Sequence, residues 1–240
     1  MARRLAVVPA LNESGSIEGV IAEVLALETP PDVLVIDDGS SDDTAQVSER
    51  AGARVLRLPF NCGIGATVQA GIAWGLERRY DVIVRLDGDG QHDARGLVSL
   101  LQPIDDGEAD FVLGSRYLDR SGFQSTWARR LGSRWFAFLL RTLCGLWITD
   151  PTSGCWAANR RAAAVLEAEY ASDYPEVDSL VRLKRAGCRV AERPIQMRAR
   201  ARGHSSIDAL RAVYYMIKVS IALVMGKVEQ RVPRAEEKGR

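Results

Sequence analysis

Residues 5–38 read LAVVPALNESGSIEGVIAEVLALETPPDVLVIDD, and this stretch decides the fold. Leu5–Val8 and Val33–Ile36 are short apolar runs. Between them Ile17, Val20, Ile21, Val24 and Leu25 fall at i, i+3, i+4, i+7 and i+8, one apolar face of a helix that Ser14 or Ser16 can cap. Two continuously apolar strands joined by such a helix make a β-α-β unit, whose parallel strands are covered on both faces.

The rhythm continues outward. A helix is expected over Asp42–Ala51, closed by Gly52, then a strand over Arg54–Leu58 that Pro59 ends. A turn holding Asn61, Gly63 and Gly65 opens a helix to about Arg79. The strand Val82–Leu86, a helix near Asp93–Leu101 and the strand Asp110–Leu113 follow. The expected fold class is α/β, a doubly wound, mostly parallel sheet flanked by helices. The second half departs from this rhythm, with a long helical pattern over Trp127–Leu146, a loop at Asp150–Gly154 and a helix over Pro175–Ala186. An arginine-rich strand and loop over Arg189–Arg202 and a helix over Ser205–Val228 complete it.

Composition narrows the function. The 240 residues carry 32 Lys+Arg against 31 Asp+Glu, with 47% hydrophobic and 26% charged residues, which excludes disordered and collagen-like chains. That length suits one large α/β domain or two small ones. A net charge of +1 exerts no general pull on nucleic acid, so any anion site has to be built from local clusters. Cys62, Cys144, Cys155 and Cys188 form no C-x-x-C pair, and two histidines supply no zinc spacing, so reduced thiols and a cytoplasmic location are expected. The apolar stretch after Arg3 and Arg4 is broken by Pro9 and followed by Asn12 and Glu13, too short for a signal sequence.

In a doubly wound sheet ligands bind beyond the carboxyl ends of the strands. Three polar clusters sit there: Pro9, Ala10, Asn12 and Glu13; Asp37, Asp38, Gly39 and Ser40; and Asp87-Gly-Asp89-Gly-Gln91-His92-Asp93. Two carboxylates one residue apart at a strand end stay ionised together most easily beside a cation, and Asp87, Asp89 and Gln91 are hard oxygen donors of the kind Mg²⁺ or Mn²⁺ takes when it also holds a diphosphate. A solvated acidic turn would use the same residues. An EF-hand loop counted from Asp87 fails, because His92 and Val98 stand where Gly and Glu are required. A D-x-D-G phosphatase would normally open with this turn, whereas here 86 residues precede it.

Six stretches, VVPALNESGSI, VIDDGSSDDT, NCGIGATVQAG, RLDGDGQHD, VLGSRY and ITDPTSGCWAANR, stand in order over most of the chain. Together they resemble the family 2 glycosyltransferases of GT-A fold, near the dolichol-phosphate mannosyltransferase and polyprenyl-phosphate glycosyltransferase branch. The resemblance implies transfer of a hexose, with inversion, from a nucleoside diphosphate-sugar. Pro9, Ala10, Asn12, Glu13, Asp38, Ser40 and Gly65 would hold the nucleotide, Gly63 and Gly65 letting the backbone approach it. Asp87, Asp89 and Gln91 would hold Mg²⁺ or Mn²⁺, Asp89 and Arg116 would act in catalysis, and Arg116 with Arg129 or Arg130 would bind the departing diphosphate.

For the acceptor the same resemblance leaves two routes. A saccharide or other hydroxyl would need Glu176 or Asp178 as general base, although acidic residues suit a helix N-terminus anyway. A polyprenyl phosphate would need only cations, and Arg198, Arg200, Arg202 and His204, followed by Ser205, resemble the basic loop of the lipid-phosphate branch. The apolar run Tyr214–Met225 holds Lys218 and is shorter than the roughly 20 residues of a bilayer span, so any membrane contact through the helix of residues 205–228 would be peripheral. Residues 1–204 are expected to form the transferase domain, with the helix and charged tail of 205–240 in the same unit. A D-x-D-G phosphatase and a non-catalytic sugar-nucleotide-binding module are the alternatives outside this class.

Overall fold

The computed structural model describes residues 2–119, 127–168, 170, 175–198 and 216–221, the side chains of 127–129 excepted. The strands β1 Arg4–Ala10, β2 Asp32–Asp37, β3 Arg54–Arg57, β4 Val82–Arg85, β5 Phe111–Ser115, β6 Trp156–Asn159 and β7 Val190–Pro194 form one sheet. Their order is β3-β2-β1-β4-β6-β5-β7. β6 runs antiparallel to β4 and β5, and every other pairing is parallel. The helices are α1 Ile17–Leu25, α2 Thr44–Arg50, α3 Ile64–Glu77, α4 Gly96–Asp105, α5 Trp127–Leu139, α6 Arg160–Ala168 and α7 Pro175–Arg185.

The period of two along each strand builds a core on both sides of the sheet. Leu5, Val7, Leu34, Ile36 and Ile83 pack with Ile72 of α3, Phe136 of α5 and Val177 of α7. Ala6, Val8, Val35 and Val84 pack with Ile21 of α1 and Leu97 of α4. Each fully buried aliphatic side chain contributes about 2 kcal/mol. α3 lies so close to β1 that a Cβ at Gly71 would collide with Val7 Cγ1 and stand 3.3 Å from Ile36 Cγ1, which explains glycine inside a helix.

The five strands expected from apolar runs are β1 to β5. Three readings change. α4 begins at Gly96, not Asp93, because the Asp93 carboxylate accepts hydrogen bonds from the Arg95 backbone N–H and Nε, both 3.0 Å, and so forms the preceding turn. The pattern over Trp127–Leu146 is α-helical only to Leu139, continues as a π turn over Leu140–Cys144 and stops at Gly145 in the left-handed region. β6 and α6 had no counterpart in the sequence reading. Of the helix expected over Ser205–Val228, residues 216–221 are described and helical. Met216 and Val219 pack against the core there, and Ser220 Oγ accepts a 3.0 Å hydrogen bond from Trp135 Nε1. Among the described residues no helix is long and apolar enough to cross a membrane.

Asp110, 4% exposed at the head of β5, ties the far edge of the sheet. It accepts hydrogen bonds from Arg189 N at 2.8 Å before β7 and from Asn159 Nδ2 at 2.9 Å in β6. The hydrogen bond with the Arg189 side chain leads in holding its pKa down to about 2 against the opposing effect of burial. A folded-state pKa below the unfolded value of 3.8 adds stability that is present above that value and lost as pH falls through about 2. Urea unfolding of Asp110→Asn between about pH 5 and about pH 2 should therefore show a shallower acid loss than wild type, and an identical slope would refute this role.

Candidate active site

The carboxyl ends of β1, β2 and β4 meet along one edge, as expected for the three polar clusters. Asn12, at φ +56°, donates its N–H to Ser40 Oγ at 2.9 Å and accepts from Ser41 N at 2.9 Å, so the ends of β1 and β2 hold each other. Glu13 N–H is bonded to Thr44 Oγ1 at 2.8 Å, and its carboxylate accepts from Ser16 Oγ at 2.9 Å. Asp37 accepts from Ser40 N at 3.0 Å as a turn residue. Asp38, 4% exposed, accepts from the backbone of Cys62 at 2.7 Å and of Gly63 at 3.0 Å, anchoring the glycine turn that opens α3. Pro9 and Ala10 are buried in the last part of β1, and Gly65 is buried in the first turn of α3.

The centre is Arg85, the last residue of β4, whose side chain is only 3% exposed. Its Nη2 contacts Asp87 Oδ1 at 3.2 Å and its Nη1 contacts Glu176 Oε1 at 3.3 Å. Burial disfavours the guanidinium charge, but Asp87, Tyr170 and Glu176 outweigh it and keep the group charged. Burial likewise works against the Asp87 carboxylate, and the charge and hydrogen bond of Arg85, with the charge of Arg116, hold its pKa below the ordinary value. Burial pushes the Tyr170 hydroxyl up to about 12, against the opposing charge of Arg85. His92 is kept neutral by burial against the pull of Asp87 and Asp89, and its Nδ1 accepts the Asp87 N–H at 3.3 Å. Asp89, 9% exposed, accepts from Gln91 N at 3.0 Å.

Room for this network comes from Gly154. A Cβ there would lie 2.9 Å from Asp87 Oδ2 and 3.1 Å from Arg85 Nη2. The loop that carries it is fixed by a second arginine pair: Arg116 donates from Nε and Nη2 to the fully buried Asp150, both at 2.6 Å, and from Nη2 to Thr152 Oγ1 at 2.9 Å. Arg116 thus turns two of its three guanidinium nitrogens to this loop. Beyond it a groove of about 650 Å³ opens between Tyr117, the α5 residues Arg130 and Arg134, and Trp147 to Thr149.

The acceptor-side candidates separate. Glu176, at the start of α7, joins the Arg85 network, whereas Asp178 pairs with Arg182 one turn along the same helix and is 37% exposed. Arg198 does not point to an acceptor: its guanidinium pairs with Glu23 at 2.5 Å and Asp93 at 3.2 Å, and Gln91 Nε2 donates to its carbonyl at 3.4 Å. The side chain of Arg129, and Arg200, Arg202, His204 and Ser205, lie outside the described residues. Sequence reasoning passed over Arg85, Asp150, Gly154 and Tyr170. The signal for Arg85 was present, since an arginine inside the run VIVRL has to find carboxylates if the strand is buried.

Asp87, Asp89 and Gln91 fit a divalent cation. Among the described residues no three His, Cys, Asp or Glu side chains gather as a metal cage. Two carboxylates on one turn match the sparse oxygen set that Mg²⁺ accepts when phosphate oxygens and water complete its shell.

Comparison with known proteins agrees with this geometry. The sequence profile described as Glycosyl transferase family 2 matches residues 5–166. The undecaprenyl-phosphate mannosyltransferase of Micrococcus luteus is 34% identical over 216 residues, covering 86% of this chain and 88% of that protein. The polyprenol monophosphomannose synthase of Mycolicibacterium smegmatis is 29% identical over 238 residues, covering 95% and 89%. Among solved structures, glucosyl-3-phosphoglycerate synthase from Mycobacterium tuberculosis, in complex with Mn²⁺, UDP and glucosyl-3-phosphoglycerate, superposes with a TM-score of 0.73 at 26% identity, covering 94% of this chain and 80% of that one. The chain belongs to glycosyl transferase family 2 and has the GT-A fold.

Three substitutions are read through urea unfolding, two in the loop and one on α7 for comparison. Asp150→Ala leaves Arg116 without its buried partner and should destabilise by about 3 kcal/mol, whereas Asp178→Asn, which breaks an exposed pair, should change stability by less than about 0.5 kcal/mol. Gly154→Ala should be destabilising by about 1–3 kcal/mol, because Arg85 and Asp87 have to give way. Wild-type stability of Gly154→Ala would mean that the space beside Asp87 is not filled.

Proposed function

We propose that this family 2 glycosyltransferase moves a hexose, with inversion, from a nucleoside diphosphate-sugar to a polyprenyl phosphate, with Mg²⁺ or Mn²⁺ held by Asp87, Asp89 and Gln91. The observation that carries the donor half is the convergence of three strand ends on the acidic turn at Asp87 and Asp89. Support for the acceptor class comes from relatives at 34% and 29% identity that are named for lipid-phosphate substrates.

The roles follow from position. On this reading Asn12, Glu13, Asp38 and Ser40 at the β1 and β2 ends hold the nucleoside, Asp38 through the glycine turn that it anchors. A divalent cation held by Asp87, Asp89 and Gln91 would supply positive charge to the diphosphate. In direct displacement the acceptor oxygen bonds to the anomeric carbon as the bond to the diphosphate oxygen breaks, and the nucleoside diphosphate leaves with that electron pair. On this reading Arg116 and Arg130 supply the cations that steady the growing charge. A polyprenyl phosphate oxygen is already ionised at neutral pH, so this route needs no general base.

A hydroxyl acceptor is the second reading, favoured by one observation: Glu176, not Asp178, sits on Arg85 beside Asp87. There Glu176 would take the proton from the hydroxyl.

Purified protein given Mg²⁺ or Mn²⁺ and a panel of donors such as GDP-mannose and UDP-glucose should form glycolipid only when metal and polyprenyl phosphate are both present. Asp89→Ala should lower kcat/KM by about 100-fold or more with an unchanged unfolding midpoint. Undiminished turnover in Asp89→Ala would overturn the metal assignment. Glu176→Gln tests the acceptor: transfer to lipid phosphate should survive in it, and a requirement for Glu176 together with product on a sugar hydroxyl would replace the lipid-phosphate reading.

A further inference from the structure

α5 has two faces. Phe136 and Leu139 are buried against the sheet side, while Leu131, Trp135 and Phe138 are 51, 43 and 56% exposed. Trp147, 71% exposed, extends this apolar strip past the π turn. Ile217 and Ile221, both more than half exposed, border it on the segment 216–221, which the Trp135 to Ser220 hydrogen bond holds against α5. A contiguous display of exposed tryptophan, phenylalanine and isoleucine marks an interaction surface, because scattered single residues are the rule on soluble faces.

Cations are interleaved with these side chains. Arg130, Arg134 and Arg141 line the groove together with Phe138 and Trp147. The Arg141 guanidinium carbon stands 3.6 Å over the centre of the Trp147 ring. Lys218 is exposed between Ile217 and Ile221. Residues 127–149 and 216–221 contain no aspartate or glutamate, in a chain whose 32 basic and 31 acidic residues otherwise nearly balance. That one-sided charge argues against a second copy of the chain as occupant, since a two-fold contact would set arginines of one copy against those of the other.

We propose that this face, centred on α5 and Trp147, is a docking surface for an anionic lipid bilayer. Aromatic rings sit at headgroup depth, aliphatic side chains reach the acyl boundary, and arginines meet lipid phosphates. Docking in this way turns the groove, whose inner wall includes Tyr117 next to Arg116, toward the membrane. The proposal goes beyond the transfer reaction and is tested without donor or acceptor.

Flotation of the full chain with phosphatidylcholine vesicles, with and without phosphatidylglycerol, reads the surface directly. Wild type should bind the phosphatidylglycerol vesicles and lose affinity as salt is raised. Phe138→Ser with Trp147→Ser should weaken binding by about tenfold, and Arg134→Gln with Arg141→Gln by roughly fivefold for each arginine removed. Val98→Ser, which removes a 59% exposed apolar side chain from α4, should change nothing. Circular dichroism and unfolding midpoints of all variants should match wild type, since each substituted side chain is exposed. Wild-type binding by Phe138→Ser with Trp147→Ser, no binding of wild type to either vesicle, or a dimer that the same substitutions dissolve would each overturn the proposal. Transfer to lipid phosphate dispersed in detergent is read separately, so vesicle binding without transfer would sink the reaction assignment alone.

Discussion

A guanidinium charge buried at the end of β4 sets the terms for the rest of the site. Leaving Arg85 unpaired at 3% side-chain exposure would cost several kcal/mol, so its surroundings have to supply negative charge and hydrogen-bond acceptors. They come from three places: Asp87 two residues along the chain, Glu176 at the head of α7 and Tyr170 just before it. Even so, Arg85 Nε has no partner among the described residues. The arrangement constrains Asp87 from behind, leaves the carboxylate ionised, and makes glycine the fitting residue at position 154.

The same device is used a second time. Asp150 is fully buried and meets Arg116 with two parallel hydrogen bonds, so β5, α5 and the loop before β6 are joined by one carboxylate. Glu192 of β7 extends the joint, accepting from the backbone of Thr149 at 2.8 Å and of Asp150 at 3.0 Å. Both pairs hold irregular backbone against a regular sheet, where side chains have to replace ladder hydrogen bonds. The loop before β6 is thereby braced from β5, α5 and β7 at once.

Much of this was legible in the chain. Apolar runs ending in polar residues identified β1 to β5 and the edge on which the acidic turn lies. β6 was not legible, because WAAN is four residues long, carries two alanines and leads directly into a helix, so no period of two can be read from it. The choice between Glu176 and Asp178 was also closed to sequence, since both suit a helix N-terminus; contact with Arg85, 91 positions away, separates them. Arg198 looked like an acceptor cation because basic residues surround it, yet Glu23 and Asp93 claim it from distant elements.

The antiparallel strand carries a consequence for how the chain assembles. β4, α4 and β5 follow one another like any crossover unit, yet β4 and β5 finish one strand apart, with β6 filling the slot between them. Until Trp156–Asn159 arrives, both flanking strands hold open rows of amide and carbonyl groups, and a direct β4 to β5 pairing would have to be undone. Residues up to β4 can close their own ladders during synthesis, but the second half waits for a short strand paired across more than 70 positions with β4. β6 is thus the strand that closes both edges, and without it they are of the kind that invites aggregation.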